Sequence, residues 1–407
     1  MENEKVLVII LGETRAHELT FDNIKTNLLN ALNADLALCI GIKPTQYDYN
    51  NPFYELAKYK FVYEEPDDGN YAGAFDYATE ETKKNSSSFP PFETMLNHNT
   101  VYAKLHSGNE DIDYLYKTTN LEPEVIQSFL ESYSELVHHS HTLQNEEYAG
   151  ALYGVKTNPT HHVVAEERVT TYKKHIDWRK FLHLQDQFLG GVRDQDPSSP
   201  IHPGSAGILI FLRWFLLKNL REHPDNILEK YDRFIISRSD YIYTLPHPKT
   251  HILSRDSIWI PDAEHYEGFT DRHVVLSPNF VEPYLNILES MITKSNQYFM
   301  KMANYHLYKG YVYYWNLERL IYFHLREQGL LEQVKQFPYV MYTVRAQNGS
   351  SSWIHGMGEF SAEHNYYIKY RGEYERSKQY ADLYKIYLDL KKSESGNKID
   401  AFYKWLT

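Results

Sequence analysis

A chain of 407 residues, 42% hydrophobic and 24% charged, holds enough apolar material for one large or two small domains. A net charge of −12 argues against a broad nucleic-acid or anionic-membrane footprint, and the single cysteine, Cys39, rules out an internal disulfide. Tyrosine stands out, at 36 residues, and its ring with a polar tip suits core edges and binding clefts alike.

The run Val6 to Leu11 is continuously aliphatic and predicts a strand buried on both faces, as in a parallel sheet. Gly12-Glu13-Thr14-Arg15 ends it. Thr20 to Leu32 has helical spacing, with Phe21, Ile24, Leu28, Leu29 and Leu32 on one side and Thr20 as its cap. Asp35 to Ile42 is a second buried strand that places Cys39 in the core, so the opening segment reads as a right-handed, Rossmann-like βαβ unit. Thr45 to Ser88 is polar and reads as loops around a short strand at Lys60 to Val62. Asn85 to Pro91 reads as an exposed linker or lid. Glu122 to His141 is expected to be helical, with His138, His139 and His141 as a surface cluster at its end.

Ser205 to Arg221 predicts a strongly apolar helix. Tyr231 to Asp240 predicts a short strand with a polar end, and Pro278 to Gln328 a helical stretch broken near Lys309-Gly310. Val340 to Val344 is a late strand, and the tail from Arg376 to Leu406 is helical. Lacking a repeat or composition shift, the chain reads as one domain over 1–407, with a helical subregion at 276–335 and a helical tail at 376–407. Without a signal-peptide pattern or an apolar run long enough to span a bilayer, a reducing, cytoplasmic setting is expected (the host cytoplasm for a viral gene).

Arg238-Ser239-Asp240 falls at the C-terminal edge of a buried strand, where open α/β sheets bind their ligands. A diphosphate there needs its charge neutralised. Asp240 is a candidate ligand for Mg²⁺ or Mn²⁺, and Arg238 is a candidate bidentate phosphate contact. Taken alone, the tripeptide reads equally as an Arg–Asp ion pair at a strand end. Gly12 permits close backbone approach after the first strand and Arg15 can pair with phosphate, but an ordinary strand-end turn has the same form.

Trp259 to His273 is dense in acids, histidines and aromatics. Asp271, before the apolar Val274-Val275-Leu276, is the first candidate for a general base under an acceptor hydroxyl, and Glu264 the second. For both, turn formation or ion pairing with Arg272 or Arg255 is the plainer role. His355, between Trp353 and Gly358, is a candidate metal partner for Asp240 or a solvated loop residue.

The ordered landmarks Gly12-Glu13-Thr14-Arg15, Tyr231-Asp232 through Ile235 or Ile236 to Arg238 and Asp240, Gly268-Phe269-Thr270-Asp271, Trp315 with Glu318, and Arg345 span most of the chain. In that order they resemble GT-A glycosyltransferases of capsule, surface-glycan and viral glycan pathways. The resemblance implies an α/β GT-A fold with a mostly parallel central sheet and added helices. It implies transfer of a sugar from a nucleoside diphosphate donor to a glycan hydroxyl, assisted by Mn²⁺ or Mg²⁺. The implied donor contacts are Gly12, Glu13, Thr14, Arg15, Arg238, Asp240, Arg272 and His273, with Asp240 and His355 at the metal. One departure is plain: Ser237-Arg238-Ser239-Asp240 carries a single acid where an Asp-x-Asp is usual. The alternative is therefore a non-catalytic nucleotide- or glycan-binding protein with a degenerate GT-A fold. A nucleotidyltransferase would call for a Gly-rich, Lys-containing phosphate loop, and Gly12 to Arg15 is too sparse for one.

Overall fold

The computed structural model describes residues 4–43, 50–85, 178–183, 188–194, 196–295, 298, 302, 315–347, 358–391 and 396–406. The chain divides into two compact units, a division that no composition shift marks in the sequence. One comprises Met1–Gly69, Ile208–Ile287 and Leu317–Thr407, the other Asn70–Gly207 and Leu288–Asn316.

The described residues of the first unit form eleven strands: β1 Val6–Gly12, β2 Asp35–Ile42, β3 Tyr59–Glu64, β4 Arg233–Ser237, β5 Tyr241–Tyr243, β6 Ile258–Pro261, β7 Val274–Leu276, β8 Val334–Phe337, β9 Met341–Arg345, β10 Glu359–Ser361 and β11 Tyr366–Ile368. Seven of them form a sheet of order β3-β2-β1-β4-β7-β6-β8. Its pairs are parallel except those of β7, which runs against β4 and β6. The protein is thus mixed α/β with a mostly parallel sheet.

The aliphatic run of β1 explains its central position. Leu7, Val8, Ile9 and Ile10 are all fully buried, which only a strand covered on both faces allows. Val8, Ile10, Leu38 and Ile40 pack with Ile24, Leu28 and Leu29, and with Tyr387, Phe402 and Tyr403 from the C-terminal helices Arg371–Leu390 and Lys398–Leu406. Cys39 is buried, its thiol 3.5 Å from Leu212 O on the helix Ala206–Glu222, and burial pushes its pKa up.

The first helix begins earlier than its spacing suggests, at His17, and passes from an α-helix ending at Ile24 into a π-helical turn over Lys25–Asn30. Thr20 is therefore not its cap. Its buried hydroxyl lies between Ala16 O and Ser239 O and ties the helix to the end of β4. Of the stretch read as loops from Thr45 to Ser88, the described residues 50–85 are more ordered than their composition predicts, with a short helix at Pro52–Leu56 capped by Asn51, a longer β3 and a helix at Ala72–Asn85. A second sheet, order β10-β11-β9-β5, is antiparallel and was not expected. Arg238-Ser239-Asp240 is the link by which the chain leaves β4 of the large sheet and enters β5 of the small one.

In the second unit, a helix at Ala72–Asn85 packs Phe75 against Trp178 of a 3₁₀ turn, ring centroids 4.6 Å apart. The expected helix at Glu122 to His141 with its histidines, the segment after Asn85, the break at Lys309-Gly310 and His355 lie outside the described residues.

Candidate functional site

Strands β1 and β4 are parallel neighbours, with Ile10 opposite Ser237, so both end at the same edge of the sheet. Gly12 closes β1 with φ +111°, a conformation that side-chain-bearing residues rarely adopt. Ser239 Oγ lies 2.7 Å from Glu13 O and 3.1 Å from Arg15 O, sharing its proton between the two carbonyls. Gly12 to Arg15 and Arg238 to Asp240 are thereby held together, as their strand-end positions predict. Glu13 pairs with Arg15 at 3.0 Å, and the Thr14 hydroxyl accepts from Asn51 Nδ2.

The Asp240 carboxylate is 1% exposed and takes a bidentate contact from Arg238, 2.9 Å from Nε and 2.8 Å from Nη2. Arg345, at the end of β9, adds a third contact through Nη1. Burial would push this carboxyl up, but Arg238 and Arg345 outweigh it and hold it well below the usual carboxylate range. The expectation that Asp240 binds Mg²⁺ or Mn²⁺ does not fit these residues, because an incoming cation would have to displace guanidinium groups and sit among positive charges. Among the described residues no group of three or more His, Cys, Asp or Glu could hold a metal.

The positive side is in excess. Arg345 is 1% exposed, and its Nε and Nη2 have no hydrogen-bond partner. Lys369 follows β11, and burial together with Arg345, Arg238 and Arg15 pushes its ammonium down to about 7. Arg15, Arg238 and Arg345, joined by Lys369 when it is protonated, thus face Asp240 and Glu13, at least three cations against two carboxylates.

Acidic groups stand at the same edge. Because β7 runs against β4 with Ile236 opposite Val274, the residues just before β7 lie beside those just after β4. The loop leading there is held at Asp262, which accepts from Tyr339 N at 2.9 Å and Arg376 Nη2 at 2.6 Å. Glu264, Tyr266 and Glu267 all have positive φ, at 59°, 44° and 66°, a concentration of backbone strain of the kind that marks functional loops. Gly268 then presses against the first turn of the helix Leu317–Glu327. A Cβ there would stand 2.1 Å from the Glu318 carbonyl, and Phe269 N donates to Glu318 O at 3.0 Å.

This contact sets Asp271 beside Glu318. Burial first, and then the negative charge of Asp271, push the Glu318 carboxyl up to about 8. The Asp271 carbonyl accepts from buried Arg213 at 2.8 Å, and its carboxylate lies 3.7 Å from Arg272 Nε. Tyr370 joins the two charged groups. Arg272 lies 4.5 Å and Lys369 Nζ 5.2 Å from its ring centroid, and its hydroxyl is within electrostatic reach of Arg238 and Asp271.

Three other expected site residues are placed differently. Arg272 is 3% exposed, ion-paired to buried Glu373 and bracketed by the rings of Tyr370 and Tyr266, so it locks the loop and offers no free face to a nucleotide. Glu264 lies 3.9 Å from Arg272, the loop ion pair that was the plainer reading for it. His273 is 1% exposed and lies behind the sheet edge. Its Nδ1 is 3.0 Å from Ser237 Oγ and its Nε2 is 3.1 Å from Nε2 of His247, whose Nδ1 is 2.7 Å from Pro248 O.

One assignment of protons satisfies that chain: Ser237 Oγ–H donates to His273, His273 Nε2–H to His247, and His247 Nδ1–H to the Pro248 carbonyl. Both rings are then neutral. Burial lowers His247 to about 4 and His273 well below its ordinary value. Since both are depressed in the fold, the unfolded chain takes up protons first, and stability is lost as pH falls from about 6.5 through about 4. For His247 alone the loss approaches about 3 kcal/mol. In a Glu318→Gln background, which removes the opposing proton linkage of that carboxyl, urea-unfolding midpoints should fall from pH 6.5 to 4, and a flat profile there would contradict the neutral pair.

Glu318 has the opposite linkage. Its raised pKa means that the folded chain holds a proton which the unfolded chain loses near 4.5, so the fold pays an increasing cost as pH rises from there to about 8. Glu318→Gln, which mimics the protonated form, should raise stability at pH 8 by roughly 1–4 kcal/mol and leave it unchanged at pH 4. Melting curves of the two proteins at these pH values check this.

Sequence reasoning treated Glu318 and Arg345 only as landmarks and passed over Lys369 and Arg213. Comparison with protein-family models, with curated proteins and with solved structures finds no match to this chain.

Proposed function

We propose that the chain is a glycosyltransferase of the GT-A kind, moving a sugar from a nucleoside diphosphate donor to a glycan hydroxyl. The observation that carries this reading is the pairing, at one sheet edge, of a cation-rich group around Arg238 and Arg345 with the Asp271–Glu318 acid pair. The ligand side of an open α/β sheet is the carboxyl end of its parallel strands, and both groups stand there. In the proposed reaction the acceptor oxygen bonds to the anomeric carbon as the bond from that carbon to the diphosphate oxygen breaks. The electron pair leaves with the diphosphate, towards the cations, and the hydroxyl proton passes to the Asp271 carboxylate. Glu318 keeps its proton at neutral pH, which spares the site a second negative charge facing the donor. The KM for donor should accordingly rise further above about pH 8, beyond the rise that follows loss of the Lys369 proton near 7, and Glu318→Gln should remove that further rise.

A cytoplasmic setting belongs to the same reading. It is supported by the single, buried Cys39, and among the described residues no helix is long and apolar enough to cross a membrane. A second reading, a nucleotide- or glycan-binding protein without catalysis, draws on the ion-paired Asp240. A thermal-shift screen of UDP, GDP, CDP and dTDP sugars, followed by assay of nucleoside diphosphate release, separates the two. Donor present at ~100 times its dissociation constant raises stability by roughly 2.7 kcal/mol in either case, but only the transferase releases the diphosphate. No shift with any donor would sink the transferase and the nucleotide-binding form of the second reading.

A further inference from the structure

The geometry points to Arg15, Arg238, Arg345 and Lys369 as a diphosphate clamp that works without a metal ion, with Asp240 as the internal anchor that orients its guanidinium groups. The inference deepens the donor-site reading and rests on it for the identity of the anion as a diphosphate.

Three observations carry it. First, Asp240 is consumed: 1% exposed, it already accepts from Arg238 at 2.9 and 2.8 Å and from Arg345. Its role is to fix two planar forks in place, as a carboxylate behind an arginine does. Second, Arg345 is held in the interior with two nitrogens, Nε and Nη2, that have no partner. A buried, charged donor without an acceptor costs the fold free energy, and an anion at this edge would remove that cost. Third, the local charge is unbalanced. From the end of β1 comes Arg15, paired to Glu13; from the link after β4 come Arg238 and Asp240; from β9 comes Arg345; and from the residue after β11 comes Lys369, its ammonium 5.2 Å from the Tyr370 ring centroid.

Antiparallel pairing sets Tyr367 directly opposite Arg345 and Phe360 opposite Tyr367, so these three residues share one face of the small sheet. The Phe360 and Tyr367 rings are 5.2 Å apart and Phe360 is 44% exposed. Arg345 thus borders an aromatic ledge of the sort on which a base or sugar ring stacks. A clamp of this composition supplies by fixed side chains the charge neutralisation that a divalent ion would otherwise provide to a leaving diphosphate.

The test is titration calorimetry with sodium pyrophosphate, in EDTA and in Mn²⁺, on the full chain and on three variants whose folding is checked by melting curves. The wild type should bind in EDTA. Lys369→Gln, at a partly exposed position, should weaken binding by about tenfold or more, as should Arg345→Gln. Asp240→Asn should still bind in EDTA, because the cations remain. Binding that requires Mn²⁺ and disappears in Asp240→Asn would overturn the clamp, as would binding that neither Lys369→Gln nor Arg345→Gln alters. Pyrophosphate bound in EDTA with no turnover of any sugar nucleotide would keep the clamp and remove the transferase reading. Mn²⁺- and Asp240-dependent turnover would do the reverse.

Discussion

Replacing Asp271 by Asn should lower turnover by about 10²–10⁴-fold while donor affinity changes little. Asn keeps the shape of the side chain and cannot accept a proton. The loop would hold its course, since Asp271 is fixed through its backbone carbonyl on Arg213, which the substitution leaves in place. Removing a negative charge beside Glu318 should also bring the Glu318 carboxyl back down from about 8, so the pH dependence of the variant's residual activity should shift to lower pH. Steady-state kinetics with a donor titration separates this role from a structural one. If Asp271 merely ordered the loop, KM and kcat would deteriorate together and the melting temperature would drop.

Gly268→Ala should be among the most damaging single-methyl changes in the protein. The added carbon would meet the Glu318 carbonyl carbon and oxygen at 2.1 Å and Arg319 N at 2.4 Å, all of them backbone atoms that cannot rotate away. Relief requires parting the loop from the helix Leu317–Glu327 and giving up the Phe269 N–H bond to Glu318 O. Ordinary overpacking costs about 1–3 kcal/mol, and a clash with fixed backbone should reach or exceed the top of that range. The same separation moves Glu318 away from Asp271, so activity should fall in any fraction that folds. Melting curves and specific activity report the two effects, and a variant with wild-type values of both would show that the close approach is not required.

The parts of this fold that can be read from the sequence are those where local pattern and burial coincide. β1 and β2 are continuous aliphatic runs because both of their faces are covered, and the helix Ala206–Glu222 is apolar from Ile208 to Leu217 apart from Arg213, most of it buried. β8 and β10 carry no such signal. Val334-Lys335-Gln336-Phe337 and Glu359-Phe360-Ser361 are short and partly exposed, and are strands because β6 and β11 pair with them. Of the small sheet the sequence shows only β9, as the strand expected at Val340 to Val344, and the short β5, β10 and β11 beside it carry no pattern of their own.

The site follows the same division. Arg15, Arg238, Asp240 and Asp271 announce themselves by standing at strand ends. Lys369 does not, because what perturbs it is burial and then three arginines, all brought about by distant segments that the topology gathers. Glu318 acquires its raised pKa only where Gly268 lets a loop touch its helix. His273 departs in the other direction: the resemblance implies donor contact for it, but Ser237 and His247 satisfy both of its nitrogens inside the core.

The most direct test of the account is to follow each sugar nucleotide by proton NMR in the presence of the enzyme, reading both diphosphate release and the anomeric configuration of the sugar transferred to an acceptor or to water. The account predicts release from at least one donor with inversion at the anomeric carbon, in EDTA as well as in Mn²⁺, and its loss in a folded Asp271→Asn variant. Retention of configuration, or no release from any UDP, GDP, CDP or dTDP sugar by a protein that is folded, would contradict it.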